Sequence, residues 1–342
     1  MFRSSNIQDG CIDYKDIVRV NKKVRENLIT KNGDLLICAR NGSSRLIGKN
    51  ALLHRTDANQ TFGAFMMVFR SDKNHFVHHL LNTKRYTSQV AENLGARINQ
   101  ITSSDLSSFR FFFPKDDKEM TRIASLFDLL DGRIAVQNRL IEDLKKLRCA
   151  IVEKMFKQSK ANGRLGDFIE QVSVRNKNGL YSNVLSVSNK QGFVKQSEQF
   201  EDRTVASEDT SNYKIVKRNN FAYNPARINV GSIARLTKFD VGIVSPMYVC
   251  FRTKASIIPE YMEAFFTSQQ FFYEMMKRLE GSVRLCLSYE GLCNIPVYIP
   301  DMNKQIAMGQ NISLILSKIG LEIEYLGRLH QQKQYLLRKM FI

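Results

Sequence analysis

Tryptophan is absent from the 342 residues, and proline and cysteine occur only 6 times each. So little proline excludes Pro-rich linkers. With 43% hydrophobic and 10% aromatic residues the chain can fill real cores, which excludes a disordered polypeptide. Cys11, Cys38, Cys149, Cys250, Cys286 and Cys293 form no C-x-x-C pair, so neither a disulfide framework nor a zinc ribbon is indicated, and most of these thiols are expected to be buried. Long apolar runs are missing too. Val77–Leu81 and Ile312–Leu316 are far short of the ~18–20 residues of a membrane span, and the opening MFRSSNIQDG has no apolar signal core. A cytoplasmic protein with no membrane partner is expected. Acidic residues are scarce as well: 33 Asp+Glu stand against 51 Lys+Arg, a net charge of +18, which points to a polyanionic partner.

Catalytic signatures are missing in turn. There is no G-x-x-x-x-G-K-[ST]; the nearest approach, Gly42 to Lys49, is one residue too long and has Asn50 where a magnesium-binding hydroxyl belongs. Neither G-x-G-x-x-G nor G-x-S-x-G occurs. Asn224–Arg227 (NPAR) has Ala226 and Arg227 where an amino-methyltransferase would stack a flipped base on Pro and an aromatic, and it reads as a strand-end turn. His75, His78 and His79 are close together, but no carboxylate or cysteine within the segment completes a metal site. They are expected at exposed helix positions, and neither metal nor catalytic residues are assigned.

What is present is a repeat. Gly95 and Gly281 are 186 positions apart, as are Pro114 and Pro300, and the helical stretch ending at Phe156 aligns with the one ending at Phe341. Each copy runs in the same order. A β-leaning region comes first (17–70; 184–252), followed by a short amphipathic helix (76–94; 260–279). A strand-like run (FRFFFP; IPVYIP) and a long helix complete it. In the long helices Ile134, Ile141, Leu144, Ile151 and Met155 share an apolar seam, as do Ile319, Leu326, Leu329, Leu336 and Met340. Both seams are interrupted at matching places, Gln137/Glu322 and Arg148/Lys333. That pattern predicts an antiparallel coiled coil with the globular parts at its opposite ends, against a reading in which each helix packs only on its own domain.

The fold class expected is therefore α+β, with two pseudo-symmetric globular domains joined by two long helices. The segments are 1–114, a central helix at 115–160, 161–300, and a C-terminal helix at 301–342, with net charges of +8, +3, +4 and +3. Within the globular parts, cations alternate with amides and hydroxyls. Arg40, Asn41, Ser43, Ser44, Arg45 and Lys49 surround two glycines, and Asn224, Arg227, Asn229, Ser232, Arg235 and Lys238 surround Gly231. Arg, Asn and Ser can both grip phosphates and read base edges. Two shorter segments pair in the same way, Arg3, Ser4, Ser5, Asn6 and Gln8 with Asn189, Lys190 and Gln191; Arg97 and Arg284 follow the repeated glycines. These residues are the DNA-binding candidates.

The second copy's VLSVSNKQGFV, YKIVKRNNFAYNPARINVGSIA and VGIVSPMYVCFR resemble the target-recognition domain of the specificity (S) subunit of type I restriction-modification systems. The first copy's FRSSNIQDG and NGDLLICARNGSSRLIGK resemble the other common variety of that domain, and the helices closing on KMF resemble the family's spacer helices. The resemblance implies a non-catalytic subunit with two target-recognition domains, each reading one half of a bipartite double-stranded DNA site, and helices that set the spacer. It also implies methylation (M) subunits that carry S-adenosylmethionine and a motor-nuclease (R) subunit as partners. GRLGDFIEQVSVRN (Gly163–Asn176) leads into the second copy and has no counterpart before the first, so an incomplete first domain is expected. Two other readings remain at this point: a self-contained DNA adenine methyltransferase, and a non-catalytic coiled-coil scaffold.

Overall fold

The structure, a computed structural model, describes residues 1–8, 10–96, 99–157, 160–189, 191–199, 209–282 and 284–341. The chain divides into two compact units, Met1–Arg139 with Ile323–Ile342, and Leu140–Glu322.

In the first unit a short hairpin, β1 (Ile7–Gln8) and β2 (Cys11–Ile12), precedes a three-stranded antiparallel sheet of β3 (Leu35–Cys38), β4 (Asn50–Leu52) and β5 (Met66–Phe69), ordered β4-β3-β5. The central strand LLIC is buried along its whole length because both faces are covered. Leu35 and Ile37 pack with Val77 and Leu81 of α1 (Asn74–Leu80) and its C-terminal end, and with Tyr86 and Val90 of α2 (Lys84–Ala96). Leu36 and Cys38 point the other way, onto Phe2, Ile7, Leu53 and Met66. This is the two-residue alternation of a strand. A single turn-and-a-half helix, α3 (Ser103–Ser108), is capped by Thr102, whose Oγ1 accepts from Asp105 N at 3.2 Å.

The unit is closed by the first part of α4 (Asp117–Lys157). Ile123, Phe127 and Leu130 pack on Phe76 and Leu80 of α1 and on Leu336, Leu337 and Phe341, at the end of the C-terminal helix Met302–Met340. The two long helices run antiparallel here. Phe127 meets Phe341 (ring centroids 5.6 Å), Asp131 Oδ1 accepts from Lys333 Nζ at 2.5 Å, and the Arg133 guanidinium lies over Tyr325 at 5.6 Å, so numbers rise on one helix as they fall on the other.

In the second unit β6 (Gly163–Arg164), α5 (Leu165–Phe168) and β7 (Ile169–Gln171) lead into β8 (Val184–Ser188), β9 (Gly192–Lys195) and α6 (Gln196–Gln199). β10 (Lys214–Lys217), β11 (Phe221–Tyr223), β12 (Ile233–Arg235), β13 (Val241–Val244) and β14 (Val249–Thr253) complete two four-stranded sheets, ordered β10-β13-β8-β9 and β12-β11-β14-β7. Among the described residues the strand pairs of this unit are antiparallel except β13–β8. Phe221 and Phe251 are register partners, and their rings stack at 5.2 Å. α7 (Pro259–Phe266), α8 (Gln269–Met276), α9 (Tyr289–Cys293) and β15 (Pro296–Val297) follow, then α10, the C-terminal helix. Val152 and Phe156 of α4 and Ile312 of α10 join the same core, with Phe156 in ring contact with Tyr261 and Phe265. Buried Gln305 accepts from Ile258 N and donates to the carbonyls of Ser256 and Pro300, so the start of α10 is tied to the loop before α7.

The predicted seam is present. Ile134, Ile141, Ile319 and Leu329 are buried, and Leu144, Ile151, Met155, Leu326, Leu336 and Met340 are half-buried. Of its polar interruptions, Gln137 is buried, Glu322 pairs with Lys318, and Lys333 pairs with Asp131.

Several expectations need correction. Each amphipathic helix is two: α1 and α2 are separated at Leu81–Thr83, and α7 and α8 at Thr267–Ser268, where Ser268 Oγ caps α8 by accepting from Phe271 N at 3.1 Å. Phe109–Pro114 forms no strand among the described residues, because α2 side chains take its backbone groups. Arg85 Nε donates to Arg110 O and Gln89 Oε1 accepts from Arg110 N. Only Cys38 and Cys250 are buried; Cys11 and Cys149 are exposed and Cys286 and Cys293 half-buried. His78 and His79 are buried rather than exposed, because α4 and the sheet together cover the far side of a seven-residue helix; only His75 faces solvent.

Candidate nucleic-acid interface

In the first unit the loop joining β3 to β4 carries the cations. Asn41 Oδ1 accepts from Ser43 N at 3.0 Å, turning the chain, and Ser44–Leu46 form one 3-10 turn that leaves Arg45 exposed. The loop returns at Gly48, whose φ of +81° suits glycine and whose carbonyl accepts from the buried Tyr86 hydroxyl at 3.0 Å. A Cβ at Gly48 would sit 3.0 Å from that hydroxyl, so the loop is pressed onto α2. Two contacts bring the N-terminal polar segment to the same place: Asn41 Nδ2 donates to Ser4 Oγ at 2.9 Å, and Lys49 Nζ to Gln8 Oε1 at 3.4 Å. Arg40 is exposed, with its guanidinium 5.4 Å from the ring of Phe65, itself 56% exposed. Ser5 is exposed beside them.

The second unit repeats the construction with different elements. The β8–β9 turn, with Gly192 at φ +67°, lies against the loop joining β11 to β12. A Cβ on Gly231 (φ +89°) would stand 3.6 Å from Asn189 Cβ, and Lys238 Nζ donates to Gln191 O at 3.2 Å. Asn224 Oδ1 accepts from Ala226 N at 3.1 Å, and its amide reaches Met247 Sδ. Arg227, Asn189 and Gln191 are exposed on this surface, with Asn229 half-buried at its edge, and Arg284 is exposed on the loop after α8. Among the described residues, Arg40, Arg45 and Arg227 have no carboxylate partner, so their charge is available to an anion.

Three candidates do not reach these surfaces. Asn6 is buried; its amide donates to the carbonyls of Asp13 and Asp16, and its Oδ1 accepts from Arg3 N. Ser232 is buried, and its hydroxyl donates to Val187 O at 3.1 Å. Arg235 is spent inside the unit: its side chain is 11% exposed and bridges Glu260 and Glu263 of α7, with Nε 2.9 Å from Glu263 Oε2. Burial raises the Glu263 carboxyl above its usual range, with Arg235 opposing. Arg3 is partly committed, pairing with Asp16 at 2.5 Å. Arg97 and Lys190 lie outside the described residues. Sequence reasoning missed Phe65 and Met247, both largely exposed beside the loops; an aromatic two residues after Gly63 in a basic region was the available signal for the first.

No protein-family profile matches this sequence, and no curated protein does. Solved structures do. The S subunit of a type I restriction-modification system from M. genitalium superposes with a TM-score of 0.59 at 18% identity, covering 100% of this chain and 92% of that one. The chain has the fold of a type I S subunit. A second neighbour, from a study of complex assembly and conformational transition of the type I restriction-modification system, gives a TM-score of 0.55 at 14% identity over 98% of this chain and 89% of its own. In this S-subunit fold the polar turn and the cationic loop come together in each unit, although they are far apart in sequence.

Proposed function

We propose that the chain is the DNA sequence-recognition (specificity) subunit of a type I restriction-modification complex, with each unit reading one half of a bipartite duplex site. The observation that carries this reading is the convergence just described. In both units a Ser/Asn/Gln turn and an Arg/Asn/Gly loop form one exposed surface, on which Arg40, Arg45 and Arg227 have no carboxylate partner among the described residues. Phosphates hold such a surface in register while amides and guanidinium forks read base edges. α4 and α10 each contribute residues to both units, which fits them for setting the spacing between half-sites and for docking methylation subunits. The chain itself is non-catalytic on this reading. S-adenosylmethionine belongs to the methylation subunits, a motor-nuclease subunit completes the complex, and the location is cytoplasmic; among the described residues no helix is long and apolar enough to cross a membrane.

A self-contained methyltransferase has less support. Asn224 uses its side chain to cap its own turn, and no aromatic stands in NPAR to stack a base. The test is methylation mapping and duplex binding by the assembled complex. A discrete bipartite motif whose occupancy falls steeply with salt is expected. Equal, shallow binding to every duplex would overturn the proposal, and S-adenosylmethionine binding by the chain alone would favour the methyltransferase.

A further inference from the structure

In the first unit α1 and α4 meet at a cluster that the loop surface does not use. His78 and His79 are 6% and 0% exposed, Asp131 faces them from α4, and one donor atom from each lies within 4.8 Å of the other two. Each side chain is already oriented by a second group. His79 Nε2 is 2.8 Å from Asp128 Oδ1, which places the proton there and leaves a lone pair on Nδ1. His78 Nδ1 is 2.9 Å from Asn50 Oδ1, and Asp131 Oδ1 takes Lys333 Nζ at 2.5 Å, leaving Oδ2 toward the imidazoles.

The decisive atom is His79 Nδ1. It is buried and has no hydrogen-bond partner, and Asp131 Oδ2 stands 3.9 Å away. That gap is too long for a hydrogen bond, and orphaned buried nitrogens are rare enough to need a reason. Two coordination bonds of ~2.0–2.2 Å bridge such a distance through a shared ion. Two imidazoles and one carboxylate suit zinc, cobalt or nickel rather than magnesium or calcium. A carboxylate behind a ligating imidazole, as Asp128 stands behind His79, is the usual outer-shell support.

We propose that the first unit binds one divalent transition-metal ion of the zinc type through His78, His79 and Asp131, tying α1 to α4. Asp131, His78 and Lys333 also line a cavity of about 760 Å³ that reaches Arg45 and Lys49, so a water can fill the remaining position. The Asp128 and Asp131 carboxylates balance the dication, and Lys333 tempers its affinity.

Cobalt(II) titrated into the purified, chelator-treated full chain is the test, followed in the visible spectrum and by competition with zinc. One equivalent per chain is expected, with bands of a four- to five-coordinate ion, and a roughly tenfold or greater loss of affinity in His79→Gln and in Asp131→Asn but none in His54→Gln. X-ray absorption of the zinc-loaded native chain needs no variant to fold and is expected to show two imidazole ligands with oxygen. Absence of a stoichiometric site, a different ligand set, or equal binding by all three variants would overturn the proposal.

Discussion

Arg235 and Arg227 are eight residues apart in the same polar stretch, yet the structure gives them opposite jobs, and that difference can be measured. Arg235 is 11% exposed and bridges two carboxylates, whereas Arg227 is exposed at the loop surface. Removing one partner of a fully buried ion set costs about 3–5 kcal/mol, because the other charges are stranded. Here Glu260 and Glu263 keep 38% and 36% of their side-chain surface, so water rescues part of that charge, and Arg235→Ala is expected to cost about 2 kcal/mol after that discount. Urea denaturation of the second unit's transition should show this as a lower midpoint, largely restored in the triple variant Arg235→Met/Glu260→Gln/Glu263→Gln. Arg227→Ala should leave the midpoint unchanged. In duplex binding by the assembled complex it should lower the slope of log affinity against log salt by about 0.9 if it grips one phosphate. An unchanged midpoint in Arg235→Ala, or a loss of salt slope equal to that of Arg227→Ala, would refute the assignment of Arg235 to the interior.

Other outcomes follow from the same geometry. A methyl at Gly242 runs into Leu185 on the neighbouring parallel strand and stands 3.1 Å from Asn183 O, so Gly242→Ala should destabilise the second unit by about 1–3 kcal/mol in the same denaturation assay. Burial pushes the Cys250 thiol up to about 12, so at pH 8 a maleimide should label exposed Cys149 readily and Cys250 only after unfolding; prompt native labelling of Cys250 would contradict its burial. Deleting or adding one turn in α4 or α10 should change the spacer length of the methylated motif while leaving its half-sites intact, as read by methylation mapping; an unchanged spacer would remove the ruler role.

Where physical meaning resided in periodicity, the sequence was readable. Ile134, Ile141, Ile319 and Leu329 are buried where a 3.5-residue seam puts them, and the β-leaning stretches became sheets. Where meaning depended on what lands opposite a residue, it was not. His79 looks like a polar surface position on a short helix until Asp128, 49 residues away, arrives beside it. Arg235 resembles Arg227 until α7 supplies two carboxylates, and Asn6 resembles Ser5 until the backbone of Asp13 and Asp16 closes around it. Phe109–Pro114 has strand-like composition, but Arg85 and Gln89 bind its backbone before another strand can.

The closure of the first unit by Leu337 and Phe341 has a consequence for how the chain is made. A ribosome emits Phe76 and Phe127 long before Leu337 and Phe341, so the cluster these residues share stays incomplete until the later pair arrives. Leu140–Glu322 emerges whole before Leu337 and Phe341 do, so that unit should mature before the first one, against the usual N-to-C order of domain acquisition. Meanwhile the apolar face of nascent α4 waits uncovered for some 200 residues of synthesis, which makes the newborn N-terminal unit the natural client of a chaperone.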